Sequence, residues 1–150
     1  MLLRCLYIGY RIFAYIFRPL HFGVRVMMVR DGKVFLVRQS YRDGWFMPGG
    51  GLKRDETIEQ AARREAREES GAELGEMRLI GIYTSFPLRT TDHNALFACD
   101  EFEFTGRPDG EIAESGFFSL DDLPQGLMPG HRRIIEAYLK GENFPPFGEW

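Results

Sequence analysis

Hydrophobic and polar positions divide this chain into stretches of different period. Leu2 to Phe17 is apolar almost throughout, interrupted by Arg4 and Arg11 and closed by Arg18-Pro19. The three arginines recur every seventh residue, so a helix would gather them into one narrow basic stripe on an apolar cylinder. From Gly23 the pattern becomes β-branched: Gly-Val-Arg-Val-Met-Met-Val-Arg, an Asp31-Gly32 turn, then Val34-Phe-Leu-Val37. That predicts two strands joined as a hairpin. Trp45-Phe46-Met47 reads as a short strand ended by Pro48 and by Gly49, Gly50 and Gly51, which free the backbone for unusual conformations.

A helix is expected next, running to about Ser70, with Asp55 and Thr57 both suited to its N-cap and Gly71 to its C-terminal stop. Met77 to Ser85 and Asn94 to Phe104 read as strands around a Pro87 to Asp92 loop. Phe117 to Leu120 is a further short strand, followed by an Asp121 to Pro124 turn. His131 to Lys140 sets Ile134, Ile135, Tyr138 and Leu139 on one helical face, and Gly141 ends it. Glu142 to Trp150, with Pro145 and Pro146, reads as an extended arm. This mixture predicts an α/β chain, sheet and helix layers around one core, with residues 1–20 as a separate N-terminal helix and residues 21–150 as the folded domain.

Composition narrows the function classes. At 150 residues and 44% hydrophobic, one core is the default. A formal net charge of -3 argues against a nucleic-acid binder that works by counterion release, and small anionic substrates would need locally placed cations. Cys5 and Cys99 supply neither a disulfide framework nor a metal-binding spacing, which points to a reducing, cytoplasmic setting. His21, His93 and His131 are scattered and make no zinc pattern. Arg11 interrupts the apolar N-terminus and no small-residue cleavage site follows, which disfavours a signal peptide. A span is disfavoured too, since about 17 residues is marginal and a central arginine costs roughly 2.5–3.5 kcal/mol. Contact with the domain, with a homodimer partner or with a membrane surface remains for residues 1–20.

The chemistry concentrates in the acidic helix. Glu65, Glu68 and Glu69 stand at i, i+3 and i+4, so three carboxylates share one face. Each such like-charge pair costs roughly 0.2–0.5 kcal/mol, and the C-terminal end of the helix dipole adds to the penalty. A bound cation would reverse it. Oxygen ligands select hard cations, so Mg²⁺ is expected, with Mn²⁺ as the alternative. The competing reading is a solvated acidic face offset by Arg63, Arg64 and Arg67.

The spacing around the cluster decides between them. Gly50 is followed after five residues by Glu56, and after seven more by Arg64-Glu65-Ala66-Arg67-Glu68-Glu69-Ser70-Gly71-Ala72. This resembles the Nudix box, G-x5-E-x7-R-E-U-x-E-E-x-G-U with U aliphatic, of the MutT-like Nudix hydrolases. Every fixed position agrees, and the U positions hold Ala66 and Ala72, smaller than the usual residues. Trp45 to Gly51 and Glu111 to Pro124 extend the resemblance over most of residues 22–140. It implies a mixed sheet within an α/β/α sandwich, here with an extra N-terminal helix. It also implies an enzyme that cleaves a phosphoanhydride bond in a nucleoside diphosphate derivative such as ADP-ribose, a nucleotide sugar or a nucleoside triphosphate, by metal-assisted attack of water. Carried over, Glu65, Glu68, Glu69 and the Gly50 carbonyl are metal ligands, Glu56 supports them, and Arg64 holds the helix geometry through a carboxylate. Glu65, Glu68 and Glu111, six residues before Phe117, are the candidate general bases, with Glu114 a competitor for the last.

Substrate choice in this family sits outside the box. Arg38 as a phosphate cation, with Tyr41 and Phe86 as aromatic faces, are the candidate substrate residues. Pro87, fifteen residues after Ala72, stands where proline marks ADP-ribose-hydrolysing relatives. Arg89 stands where a dinucleoside polyphosphate hydrolase would carry tyrosine. That activity, and a catalytically weak nucleotide-binding or regulatory module on the same fold, are the alternatives. The binding module would be marked by missing metal ligands, and none is missing.

Overall fold

The computed structural model of the chain describes residues 2–17 and 19–150, so Arg18, third in the expected basic stripe, lies outside the described residues. Helix α1 (Leu2–Phe17) is followed by β1 (Leu20–Arg30), β2 (Lys33–Gln39), α2 (Ile58–Ser70), β3 (Ala72–Leu74) and β4 (Arg78–Ser85). Then come β5 (Thr91–Cys99), β6 (Phe102–Phe104), β7 (Ile112–Ser119), α3 (Pro129–Leu139) and β8 (Phe147–Glu149). The main sheet has the order β7-β2-β1-β5-β4-β8, and β3 pairs with β6 in a two-stranded sheet. β1 runs parallel to β5 and β4 parallel to β8, while the other pairs are antiparallel, which makes the sheet mixed.

Strand alternation sends side chains to the two faces of the sheet, and each face acquires its own core. Val24, Val26, Met28, Phe35, Val37, Ala95 and Phe97 pack with Ala61, Ala62 and Ala66 of α2. Met27, Val34, Leu36, Leu96 and Tyr83 pack with Ile134 and Ile135 of α3. The result is the expected α/β/α layering. Ala66 and Ala72, the small residues of the motif, are both fully buried in the α2 layer. Met27, Leu36 and Leu96 are fully buried, each worth roughly 1.5–3 kcal/mol over an exposed side chain.

Local chemistry resolves the open boundaries. Thr57, not Asp55, caps α2: its hydroxyl accepts from Gln60 N while the Gln60 side chain accepts from Thr57 N. Gly71 closes the helix at φ 75°, a left-handed conformation that glycine adopts without strain. The expected strand at Trp45 to Met47 shrinks to isolated bridges, because Pro48 has no N–H to extend the ladder. Asn94 to Phe104 is two strands rather than one: the chain turns at Asp100-Glu101 and β6 leaves for β3. β7 begins five residues before Phe117, as an edge strand that is exposed at Ala113, Glu114 and Ser115. The extended arm joins the sheet as β8, and Trp150 lies 4.9 Å, ring to ring, from His131.

His131 is a buried polar group with a defined partner. Its Nδ1 accepts the Met47 N–H at 3.0 Å, which leaves the ring neutral with its proton on Nε2. Burial first, and then Arg25 and Arg42, hold its pKa well below the ordinary value of 6.5. The unfolded chain therefore binds that proton more readily. This contribution to stability is complete above the ordinary histidine pKa and is lost as pH falls through the folded value. Thermal unfolding followed against pH should show the wild type losing stability below about pH 6.5 more steeply than His131→Gln. Parallel curves for the two proteins would refute the assignment.

α1 packs sparsely. Tyr7 is the only described side chain in it that is even half-buried. Leu6, Ile12, Phe13, Ile16 and Phe17 are between 48% and 67% exposed. Arg4 and Arg11 line a cavity against the domain, so the arginines expected as a stripe turn partly inward. Among the described residues no helix is long and apolar enough to cross a membrane.

Candidate active site

β1 meets β2 only at Val29 and Arg30, and the space beside its N-terminal half is taken by the glycine loop. Val26 N donates to Pro48 O, Val24 N to Gly50 O and Leu52 N to Phe22 O. This lays the loop against β1. Gly49, at φ 151°, could not carry a side chain there, since an added Cβ would stand 2.1 Å from Val24 O. An added Cβ at Gly50 would stand 2.5 Å from Glu65 Oε1. The Glu65 carboxylate therefore lies directly on the Gly50 backbone.

α2 crosses over this loop, and its carboxylates divide by environment. Glu69 is buried, and its carboxylate accepts from Gly49 N at 2.9 Å and from Gln39 Nε2 at 2.6 Å. Burial raises its pKa, and the Gly49 hydrogen bond, the charge of Arg25 and Gln39 offset part of that rise. Glu56, Glu65 and Glu68 gather around one cation. Arg64 grips Glu56 bidentately, Nε to Oε1 at 2.6 Å and Nη2 to Oε2 at 2.9 Å. Through Nη1 it reaches Glu65 and, at 3.1 Å, Glu68. Its hydrogen bonds hold Glu56 down at about 2, and its own pKa is raised in turn.

Glu65, Glu68 and Glu69 line one cavity of about 720 Å³, shared with Gly50, Tyr41 and Glu111. Glu111 reaches it because its loop is pinned at both ends: Asp109 N donates to Glu68 O and Ser40 N to Glu111 O. Glu56 stands behind Arg64, outside the cavity lining. Arg38 does not reach the cleft, since it meets Glu114 across the β2–β7 ladder and pairs with it on the exposed edge. Glu114, held there, does not line the cleft, whereas Glu111 does. Phe86 is 60% exposed and likewise stands apart from the cavity lining.

Sequence reasoning passed over Arg25, Gln39, Lys53 and Arg42. Arg25 donates to Gly49 O at 2.9 Å and to Met47 O at 3.3 Å, tying the loop to β1. Its signal was a charge in the middle of a β-branched strand. Lys53 Nζ stands 3.5 Å from Glu68 Oε1. Gln39 and Arg42 carry no comparable signal, because their roles depend on what α2 and α1 bring against them.

The donors on the α2 wall are hard carboxylate oxygens, as a hard divalent cation requires. Among the described residues no three His, Cys, Asp or Glu side chains stand grouped as metal ligands. Arg64 supplies the compensating charge, drawing Glu56, Glu65 and Glu68 toward its guanidinium. The donor set fits the cation in kind.

Comparison with known proteins agrees with this architecture. The NUDIX domain family matches residues 19–138. The chain belongs to the Nudix family. An ADP-ribose pyrophosphatase of Methanocaldococcus jannaschii is 29% identical over 131 residues, covering 83% of this chain and 77% of that protein. An RNA pyrophosphohydrolase of Xanthomonas oryzae pv. oryzae is 46% identical, but over 65 residues that make up 43% of this chain and 31% of the relative. Among solved structures, a MutT NUDIX hydrolase from Burkholderia pseudomallei is 27% identical with a TM-score of 0.69, over 78% of this chain and 96% of that one. The reaction class of this Nudix hydrolase is cleavage of a pyrophosphate bond in a nucleotide derivative.

Proposed function

We propose that this Nudix hydrolase is Mg²⁺-dependent, that Glu65, Glu68, Glu69 and the Gly50 carbonyl hold the cation, and that Mn²⁺ can replace it. The observation that carries this is the concentration of carboxylates on the α2 wall of the cleft, against the bare backbone of Gly50. A divalent cation there supplies charge neutralisation on the phosphoryl oxygens and acidifies water.

The chain's own residues do the rest. Glu69, clamped by Gly49 N–H and Gln39, is a fixed carboxylate whose orientation needs no further ordering. Arg64 acts as a positioning residue: its fork on Glu56 anchors it, and the same guanidinium sets where Glu65 and Glu68 point. Water attacks phosphorus, the bridging P–O bond breaks, and a nucleoside monophosphate leaves with the second phosphorylated product. The proton of the water goes to a carboxylate on the cleft wall, Glu65, Glu68 or Glu111. Tyr41 offers an aromatic face beside them.

The nucleoside diphosphate reading draws support from the Methanocaldococcus jannaschii relative, named for ADP-ribose and matched along most of both chains. Its test is a panel of ADP-ribose, a nucleotide sugar, a dinucleoside polyphosphate and a nucleoside triphosphate, with products identified by mass. At least one should release a nucleoside monophosphate with Mg²⁺, stop with chelator and resume when Mg²⁺ is restored. Tight nucleotide binding without any product would replace the enzyme by a binding module.

A further inference from the structure

Beside the catalytic cleft lie two more cavities, of about 480 Å³ and 420 Å³. The first is walled by α1, through Arg4, Tyr7, Ile8 and Arg11, and by the chain just after β2. Tyr7 and Tyr41 meet there with ring centroids 5.9 Å apart. Tyr41 also lines the catalytic cleft, so the compartments adjoin. Arg42 alone lines all three cavities.

Arg42 contrasts with the arginines of α2. Arg63, Arg64 and Arg67 each have carboxylate partners. Among the described residues, no carboxylate lies within ion-pair distance of Arg42, Arg4 or Arg11. The guanidinium of Arg42 is stacked 3.4 Å over the Phe46 ring, which fixes its plane, and its Nε is buried without a hydrogen-bond partner. Burial and the nearby Arg25 lower its pKa to about 10, which still leaves it charged at neutral pH. A partly desolvated cation without an anion is costly, and a ligand anion would relieve the cost. Asp43, exposed at the rim, is the single carboxylate among the described residues lining the α1 compartment.

The junction is thus polarised. Carboxylates of α2 line one end of the cleft, Asp92 of β5 lines its side, and arginines without a carboxylate partner line the α1 compartment.

We propose that Arg42, with Arg11 and Arg4 of α1, forms a phosphate-binding subsite that receives a phosphate carried by the substrate beyond the scissile pyrophosphate. The proposal rests on the hydrolase reading and sharpens its substrate class. Substrates with a further phosphate, a nucleoside triphosphate or a dinucleoside polyphosphate, are favoured over those ending in a neutral sugar such as ADP-ribose. It also gives α1 a purpose at the site: the helix supplies two of the three cations.

The test separates binding from turnover. Calorimetric titration of the full chain with inorganic tripolyphosphate, in chelator so that no divalent cation contributes, should give saturable binding. A fork of charge-assisted hydrogen bonds is strong enough that Arg42→Gln should weaken it at least about tenfold and Arg11→Gln severalfold. Arg107→Gln, an exposed arginine outside these cavities, should leave it unchanged. In turnover, Arg42→Gln should lower kcat/KM for the nucleoside triphosphate or dinucleoside polyphosphate about tenfold more than for ADP-ribose. Arg11 is exposed, so Arg11→Gln keeps the test valid even if Arg42→Gln fails to fold. Tripolyphosphate binding that is absent, or unchanged in Arg11→Gln and Arg42→Gln, overturns the subsite. If hydrolysis is absent but the arginine-dependent binding persists, the catalytic reading fails and the subsite stands.

Discussion

Glu68→Gln and Glu69→Gln are each expected to lower Mg²⁺-dependent turnover by roughly 10²–10³-fold, the scale of removing one electrostatic contact to a transition state, while the fold persists. The two variants should differ in how the metal-free protein responds. Glu68 is partly exposed, so its replacement should alter stability by less than about 0.5 kcal/mol. Glu69 is buried, with its pKa raised chiefly by burial. Its folded pKa above the unfolded one means that its contribution to stability is present at pH below the unfolded value and is lost as pH rises through the folded value. The metal-free wild type should therefore lose stability through that range, and Glu69→Gln should abolish the loss. Steady-state kinetics with thermal unfolding in chelator checks both halves. Full activity in both variants would remove Glu68 and Glu69 from the site.

Gly49→Ala should produce the largest loss of stability among substitutions in the glycine loop. Its φ of 151° is one that side chains rarely adopt, and the new Cβ would meet backbone rather than a movable side chain, 2.1 Å from Val24 O and 2.9 Å from Arg25 Cα. β1 is one of the two central strands of the sheet and has no room to yield. The loop must then lift from β1, breaking the Gly49 N–H bond to Glu69 and the Arg25 bonds to the Gly49 and Met47 carbonyls. A loss of roughly 2–4 kcal/mol in urea unfolding is expected, with activity falling because Glu69 loses its anchor. Gly51→Ala is the control two residues away: nothing lies within 4 Å of its added Cβ, so it should change stability by less than about 0.5 kcal/mol. Equal effects at the two glycines would show that the loop is not held as described.

The contrast between these glycines shows where sequence reasoning reaches its limit. Three successive glycines announce an unusual backbone, but Gly49 is irreplaceable because β1 lies against it, and Gly50 because Glu65 does. The same holds for the short strands. β3, of three residues, and β8, after two prolines, have too few side chains to display a period, and both exist because a partner strand offers its edge. Residue type and a place at a strand end near the expected pocket are all that single out Arg38 and Phe86 in the sequence. Cross-strand pairing gave Arg38 a carboxylate partner instead.

What the amino-acid order alone determined is the part governed by local spacing. The 3.6-residue period puts Glu65, Glu68 and Glu69 on one face of α2, Gly71 ends that helix after a start at Asp55 or Thr57, and the alternation of Val24, Val26 and Met28 commits β1 to the core. Only the tertiary structure decided what those features face. It buried Glu69 under Gly49, brought Glu111 to the cleft by pinning its loop to α2 and to the end of β2, and set α1 beside Arg42. These pairings join residues far apart in the chain. They depend on which surfaces meet once the two cores have formed, and residue spacing carries no record of that.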